Sequence, residues 1–186
     1  MESRFFVITG GPGAGKTSLL EELGNRGYPT MDEGGRALIR TQRLIDGPAL
    51  PSSDPTLFGD LLVSWHIRSF ETARRLSGRV FFDRGLPDVF GFYAFHGLSA
   101  PDYAHRAARI YRYAAPVFFA PPWAAIYHSD AERRETYEEA VEVFEHTLGA
   151  YVSLGYIPMI LPLGTVAERV RFVLDVLDDY ADPRAT

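Results

Sequence analysis

Short apolar runs alternate with longer helix-like stretches along the chain. The runs occupy residues 5–9, 28–31, 80–83, 117–120 and 158–161. Each run is short enough for a buried strand, and the stretches between the runs are long enough for helices. This alternation predicts an α/β fold, in which helices cover both faces of a parallel sheet.

Two apolar stripes and three start signals indicate the later helices. The first stripe consists of Tyr137, Ala140, Val141, Phe144, Leu148 and Tyr151, and the second of Val166, Val170, Val173, Leu174 and Leu177. Capping-box spacing occurs at Ser129 and Glu132, at Thr136 and Glu139, and at Thr165 and Glu168. Earlier helices are predicted near 34–46 and 56–77, with a flexible loop at 47–55 between them. We interpret both stripes as core faces.

The strongest motif follows the first apolar run. Its nine residues are Gly10, Gly11, Pro12, Gly13, Ala14, Gly15, Lys16, Thr17 and Ser18. The pattern G-x-x-x-x-G-K-T between a strand and a helix is that of a phosphate-binding loop, the Walker A motif. Its glycines let backbone N–H groups face phosphate oxygens, and the helix adds the positive end of its dipole. We expect Lys16 to reach the β- and γ-phosphates, Thr17 to bind Mg²⁺, and Gly24 to end the helix.

Charge and composition narrow the classes of function. Lys16 is the one lysine among 19 basic residues, so the compact ammonium is used only in the phosphate loop. The net charge of −5 disfavours binding to nucleic acid or to an anionic membrane. Cysteine is absent, which excludes disulfides and thiolate chemistry. The length of 186 residues predicts one domain, 1–186, which the phosphate loop makes a nucleotide-binding domain. Without a signal-peptide pattern we expect the protein to be cytoplasmic.

Charged residues follow the second and third predicted strands, at the edge of the sheet where ligands bind in parallel sheets. Asp83 could hold Mg²⁺ through water or accept a proton, and Arg84 could bind a phosphate or a carboxylate. Asp32 or Glu33 could act as a base or bind a substrate hydroxyl, and Arg36 could bind an anion. The alternative is structural, because acids at these positions also cap helices.

Arg133 and Arg134 lie in a charged stretch before the helix that begins near Thr136. They could close over the γ-phosphate and stabilise charge on the transferring group, so we predict a lid at 129–137. The alternative is a solvated helix start with local ion pairs. A zinc site is not indicated, because no two histidines have the three- or four-residue spacing of metal ligands. A serine hydrolase is not indicated either, because no G-x-S-x-G is present.

Six segments together give the chain a family resemblance. They are residues 10–17, Asp32-Glu33-x-x-Arg36, Asp83-Arg84, residues 117–123, Asp130-x-x-Arg133-x-x-Thr136 and Leu154-Gly155-Tyr156. The chain resembles P-loop kinase-type NTPases, and more closely the small bacterial predicted ATPases labelled as AAA domains, which are similar to ribosylnicotinamide kinases and nucleoside monophosphate kinases. The resemblance implies a three-layer α/β/α fold with a five-stranded parallel sheet of order 2-3-1-4-5. It also implies ATP or GTP with Mg²⁺ at the loop, Asp83 near the metal, and Arg133 or Arg134 in a lid.

Two functions fit these residues. In the first, the protein is a kinase that transfers a phosphoryl group from ATP to a small nucleoside- or nucleotide-like acceptor, with Arg36 and Arg84 holding an anionic acceptor. In the second, it is a nucleotide-dependent switch or slow NTPase that acts through a protein partner. ATP is favoured over GTP because the sequence has no Asn-Lys-x-Asp motif for guanine. The sequence does not decide which of Asp32, Glu33 and Asp83 is the base.

Overall fold

The computed structural model describes residues 4–127 and 136–180. The strands are β1 (Phe5–Gly10), β2 (Thr30–Met31), β3 (Val80–Asp83), β4 (Pro116–Ala120) and β5 (Ile157–Ile160). The α-helices are α1 (Lys16–Asn25), α2 (Gly34–Leu44), α3 (Pro55–Ala73), α4 (Asp88–Phe95), α5 (Asp102–Ile110), α6 (Tyr137–Ser153) and α7 (Val166–Asp179). A short 3₁₀ turn, Ala124–Ile126, follows β4.

The five strands form one parallel sheet with the order β2-β3-β1-β4-β5. This confirms the predicted fold class and strand order. Ile8 of β1 is in register with Asp83 of β3, and Gly10 is in register with Ala120 of β4. Because the strands run in one direction, the carboxyl end of β3 lies beside the loop that follows β1.

The sheet separates two hydrophobic clusters, because successive residues of a strand point to opposite faces. Phe5 and Phe82 pack on one face with side chains of α3, α4, α5 and α6. Phe6 and Phe81 pack on the other face with side chains of α1 and α7. Burying one such side chain stabilises the fold by roughly 2–3 kcal/mol, so the central strands are a firm base for the loops at their carboxyl ends.

Helix ends match the sequence signals at some positions and not at others. Both capping boxes at Thr136 and Thr165 form completely, while Ser129 lies outside the described residues. The prediction for Gly24 is wrong, because α1 continues to Asn25 and the left-handed residue beyond its end is Gly27, with φ of 88°. Of the helices in residues 4–127 and 136–180, none is long and apolar enough to cross a membrane.

Candidate active site

The phosphate loop connects β1 directly to α1. Gly10 lies so close to β4 that a Cβ atom would overlap the carbonyl group of Ala120. Gly15 precedes α1 in the left-handed conformation, with φ of 75°, which a side chain would disfavour. Since α1 begins at Lys16, the unpaired N–H groups of its first turn belong to this loop, and such a helix start suits an anion.

The side chain of Lys16 is buried against the backbone of the phosphate loop, with 7% of the residue's surface exposed. Its Nζ donates to the carbonyl oxygens of Gly11 at 2.7 Å and Gly10 at 3.2 Å. Burial, assisted by the neighbouring charge of Arg84, lowers the pKa of Lys16 to about 8. Thr17, by contrast, is exposed in the first turn of α1, so its hydroxyl is accessible to a ligand.

Asp83 ends β3 with a carboxylate oxygen that lacks a partner. Its Oδ1 is buried and accepts no hydrogen bond from any of the described residues. Burial raises the pKa of Asp83 to about 6, although the charge of nearby Lys16 opposes the shift. Buried polar atoms are usually paired, so this oxygen is placed to receive a donor from a bound molecule.

Arg84 has an uncommon backbone conformation, with φ of 67°. This conformation costs a non-glycine residue roughly 1 kcal/mol or more, so the surroundings must hold it. Its backbone N–H donates to the carbonyl oxygen of Ile8 at 3.0 Å. Its Nε donates to Glu33 Oε1 at 3.1 Å and its Nη1 to Asp88 Oδ1 at 3.0 Å. Burial alone would lower the pKa of Arg84, but the adjacent carboxylates raise it above its usual value.

Of the two acids that follow β2, Glu33 lines the same cavity as Asp83, whereas Asp32 is exposed and does not line it. Arg36 also lines the cavity, and its Nε lies 3.2 Å from Glu33 Oε2. Burial acts to raise the pKa of Glu33, but the charges of Arg84, Lys16 and Arg36 lower it overall. The structure therefore brings Glu33 and Arg36 to Asp83 and leaves Asp32 outside.

Asp88 is a central residue of the site that the sequence analysis missed. It begins α4, is only 7% exposed, and also accepts a hydrogen bond from the Thr9 hydroxyl. Asp88 Oδ2 accepts from the Gly85 N–H at 2.8 Å and from the Tyr151 hydroxyl at 2.6 Å. Together with the Nη1 of Arg84, these donors satisfy both carboxylate oxygens. Asp88 thus fixes the guanidinium of Arg84. The sequence carried no signal for this contact, because Arg84 precedes α4 and the four-residue spacing has meaning only within a helix.

We expect Asp88→Asn to destabilise the protein by about 3 kcal/mol, because the change removes the more buried of the two carboxylates that pair with Arg84 and turns an amide towards other donors. Urea unfolding at pH 7 measures the loss. Asp102→Asn is the matched control, since Asp102 also begins a helix but is exposed, and its cost should stay within about 0.5 kcal/mol. Equal stability of the two variants would contradict the role given to Asp88.

Arg169 braces the phosphate loop from α7, and it too was not predicted. Its Nη1 donates to the carbonyl oxygen of Ala14 at 2.7 Å and its Nε to that of Pro162 at 3.0 Å. Its guanidinium lies 5.4 Å from the ring centroid of Trp123. By holding the Ala14 carbonyl, Arg169 fixes one peptide plane of the loop.

One cavity of about 620 Å³ connects the phosphate loop with the charged residues that follow β2 and β3. It is lined by loop residues 12–18, by Glu33, Arg36, Asp83, Arg84 and Asp88, and by apolar side chains of α3 and α4. Within residues 4–127 and 136–180, no cluster of three or more acidic or histidine side chains could hold a metal by itself. The exposed Thr17 hydroxyl and the unpartnered Asp83 oxygen are, however, hard oxygen donors that suit Mg²⁺ when phosphates supply further ligands. Arg133 and Arg134 lie outside the described residues.

The chain is similar to one protein family and to several solved structures. The profile of a protein family described as AAA domain matches residues 5–169. Deoxyadenosine kinase from M. mycoides has 13% identity and a TM-score of 0.69, over 95% of this chain and 100% of that one. Thymidylate kinase from Ehrlichia chaffeensis has 14% identity and a TM-score of 0.61, over 95% and 100%. A NadR protein in complex with NR has 14% identity and a TM-score of 0.70, over 99% of this chain and 52% of that one.

At these identities the similarity to solved structures is evidence for the fold alone. That fold is the one shared by nucleoside and nucleotide kinases, which confirms the predicted resemblance to P-loop kinase-type NTPases. Among curated proteins, none matches the sequence.

Proposed function

The chain belongs to the AAA domain family, and from this premise we propose that it is a phosphotransferase, a kinase that uses Mg-ATP to phosphorylate a small molecule. One observation supports this most strongly. The phosphate loop with its buried Lys16 and the unpartnered Oδ1 of Asp83 line the same cavity, so a donor nucleotide and an acceptor would meet there. The similarity in fold to known nucleoside and nucleotide kinases adds support.

In the proposed reaction, the loop N–H groups and Lys16 bind the phosphates of ATP and stabilise the charge that develops on the transferring group. Thr17 directly, and Asp83 through water, would hold Mg²⁺. When bound, the ion neutralises charge on the β- and γ-phosphates. Ser18 is exposed beside Thr17 and would contact the phosphates. Contacts from Arg133 and Arg134 to the phosphates remain a prediction.

Asp83 is the acid that we assign to the acceptor. A carboxyl group with a pKa near 6 is mostly ionised at pH 7 and can still take a proton, as a general base must. Glu33 is less suited to this role, because its pKa is lowered and both of its oxygens are paired with arginines. Since a carboxylate has two oxygens, Asp83 can serve both a metal-bound water and an acceptor hydroxyl.

The experiment that tests this proposal measures Mg-ATP consumption with and without a panel of nucleosides, nucleotides and phosphorylated metabolites. We expect strong stimulation by one acceptor, with its phosphorylated product detected by mass, and no stimulation in the Lys16→Ala variant. ATP binding with only slow turnover across the whole panel would overturn the kinase proposal. It would favour a nucleotide-dependent switch with a protein partner.

Nucleotide binding should take up a proton at alkaline pH. In the nucleotide-free protein Lys16 has a pKa of about 8, and bound phosphates would raise this pKa, so ATP affinity should fall as the pH rises through 8. Calorimetry in buffers of different ionisation enthalpy should give an uptake of about 0.9 proton at pH 9 and about 0.1 at pH 7. In Lys16→Arg the same uptake should vanish, because a guanidinium does not titrate in this range. An equal uptake in both proteins would assign the proton to another group.

A further inference from the structure

Helices α2, α3, α4 and α6 give the cavity an apolar region. Its side chains are Ile39, Phe58, Leu62, Phe92, Phe95 and Val143. The rings of Phe58 and Phe92 lie 5.3 Å apart between centroids, and His96 packs against Phe92 with the ring centroids 4.5 Å apart. We call this region the acceptor end. Its aromatic side chains suit a flat ring, which gains from burial and from contact with other rings.

The cations that line the cavity outside the phosphate loop are already paired with carboxylates. The carboxylates of Glu33, Asp83 and Asp88 and the guanidinium groups of Arg36 and Arg84 line the cavity. Arg84 is ion-paired with Glu33 and Asp88, and Arg36 is ion-paired with Glu33. Two cations therefore meet three carboxylates, before Lys16 is counted on the phosphate side.

The two histidines that line the cavity do not change this balance. Burial lowers the pKa of His66 to about 4, so it is neutral at pH 7. Burial also lowers the pKa of His96. Among the described residues that line the acceptor end, no unmatched cation is left.

This balance disfavours a phosphorylated acceptor. A phosphate monoester carries close to two negative charges at pH 7 and needs unmatched cations when it leaves water. In this cavity it would have to compete with Glu33 and Asp88 for their arginines, and it would lie near the charge of Asp83. Repulsion of this kind is an effective means of selectivity.

An uncharged hydroxyl fits where a phosphate does not. The buried Oδ1 of Asp83 lacks a donor, and a hydroxyl group supplies one without adding charge. Resting on the proposed function, we infer that the acceptor is an uncharged hydroxyl compound with a flat ring, which is the chemistry of a nucleoside. Compounds in which that hydroxyl already carries a phosphate are rejected.

The transfer to such an acceptor balances. The acceptor oxygen forms a bond to the γ-phosphorus while the bond from that phosphorus to the bridging oxygen of ATP breaks. ADP leaves with the electron pair of the broken bond, and the hydroxyl proton passes to the Asp83 carboxylate.

The test compares the common ribo- and deoxyribonucleosides with their own 5′-monophosphates as acceptors of labelled phosphate from ATP. We expect the best nucleoside to exceed its monophosphate in kcat/KM by about 100-fold or more. A preferred monophosphate would overturn this inference and leave the kinase proposal intact. If neither class accepts phosphate, the inference fails. If the wider acceptor panel also gives no stimulation, the proposed function fails with it.

A charge variant gives a second, independent readout. Glu33→Gln removes the carboxylate that both arginines share, so the ratio of nucleoside to monophosphate kcat/KM should fall by at least about tenfold. Glu71→Gln is the matched control, because it breaks an exposed Glu–Arg pair at the end of α3 and should leave the ratio unchanged. A Glu33→Gln protein that folds normally and keeps the original ratio would contradict the charge argument.

Phe92→Leu should raise KM for the nucleoside while KM for ATP stays constant.

Discussion

Lys16→Ala should reduce phosphoryl transfer by about 1,000-fold or more and weaken ATP binding strongly. Lys16 carries the one positive side chain of the phosphate loop. Its Nζ donates to the carbonyl oxygens of Gly10 and Gly11, which hold the ammonium within the loop. Without it, the charge that develops on the transferring phosphoryl group loses its nearest compact cation. Product formation under single-turnover conditions, together with calorimetric titration of ATP, measures both effects.

The same change should not damage the fold. Burial lowers the pKa of Lys16 from 10.5 to about 8, so the folded protein disfavours the charged lysine by about 3 kcal/mol at neutral pH. This cost is fully present below pH 8 and disappears above about pH 10.5. Lys16→Ala should therefore be as stable as the wild type at pH 7, or more stable, when nucleotide is absent. A loss of activity that merely follows a loss of stability would contradict the assignment.

Lys16→Arg is the companion variant, because it keeps the charge and changes its shape. A guanidinium is planar and larger than an ammonium, and the loop carbonyls leave it little room. Activity should fall by about 100-fold or more even though the charge remains. Full ATP affinity in both variants would overturn the phosphate-loop assignment.

The sequence could predict the sheet and the phosphate loop because their information is local. The apolar run in Phe5–Gly10, the glycines after it and the helix that begins at Lys16 are contiguous, and each has a pattern that depends on its neighbours alone. The capping boxes at Thr136 and Thr165 are local in the same sense.

Contacts across the fold were not predictable in this way. Asp88 accepts from Thr9, which is 79 positions away, and Arg169 donates to Ala14, which is 155 positions away. An acid or an arginine on a helix gives no signal of which distant group it will contact, because the sheet order decides that. The loop could therefore be predicted from the sequence, and the residues that hold it and Arg84 in place could not.

Sequence also could not choose between adjacent acids. Asp32 and Glu33 follow the same strand, but only Glu33 turns towards Arg84 and lines the cavity. A helix end raised a similar problem, because Gly24 and Gly27 both suit a C-terminus, and backbone bonds extend α1 past Gly24. The two candidates are one position apart in the first case and three in the second, and contacts from the rest of the fold decide between them.

Asp83→Asn should lower turnover by about 100- to 1,000-fold and leave ATP affinity within about threefold. The amide has nearly the same size as the carboxyl group, but it neither accepts a proton nor binds a metal-bound water as a carboxylate does. Steady-state kinetics with the best acceptor, compared with ATP binding in the absence of acceptor, separates the two effects. Asp32→Asn is the matched comparison at the same edge of the sheet, and its turnover should remain close to that of the wild type.

Stability distinguishes a catalytic role of Asp83 from a structural one. Its pKa is raised from 3.8 to about 6, so ionised Asp83 destabilises the folded state, and the penalty is full above pH 6 and gone below about pH 4. Asp83→Asn should therefore be more stable than the wild type at pH 7, with a difference that shrinks as the pH falls towards 4. A variant that is both less active and less stable at pH 7 would show that Asp83 supports the fold. A stable variant with unchanged turnover would remove Asp83 from the reaction.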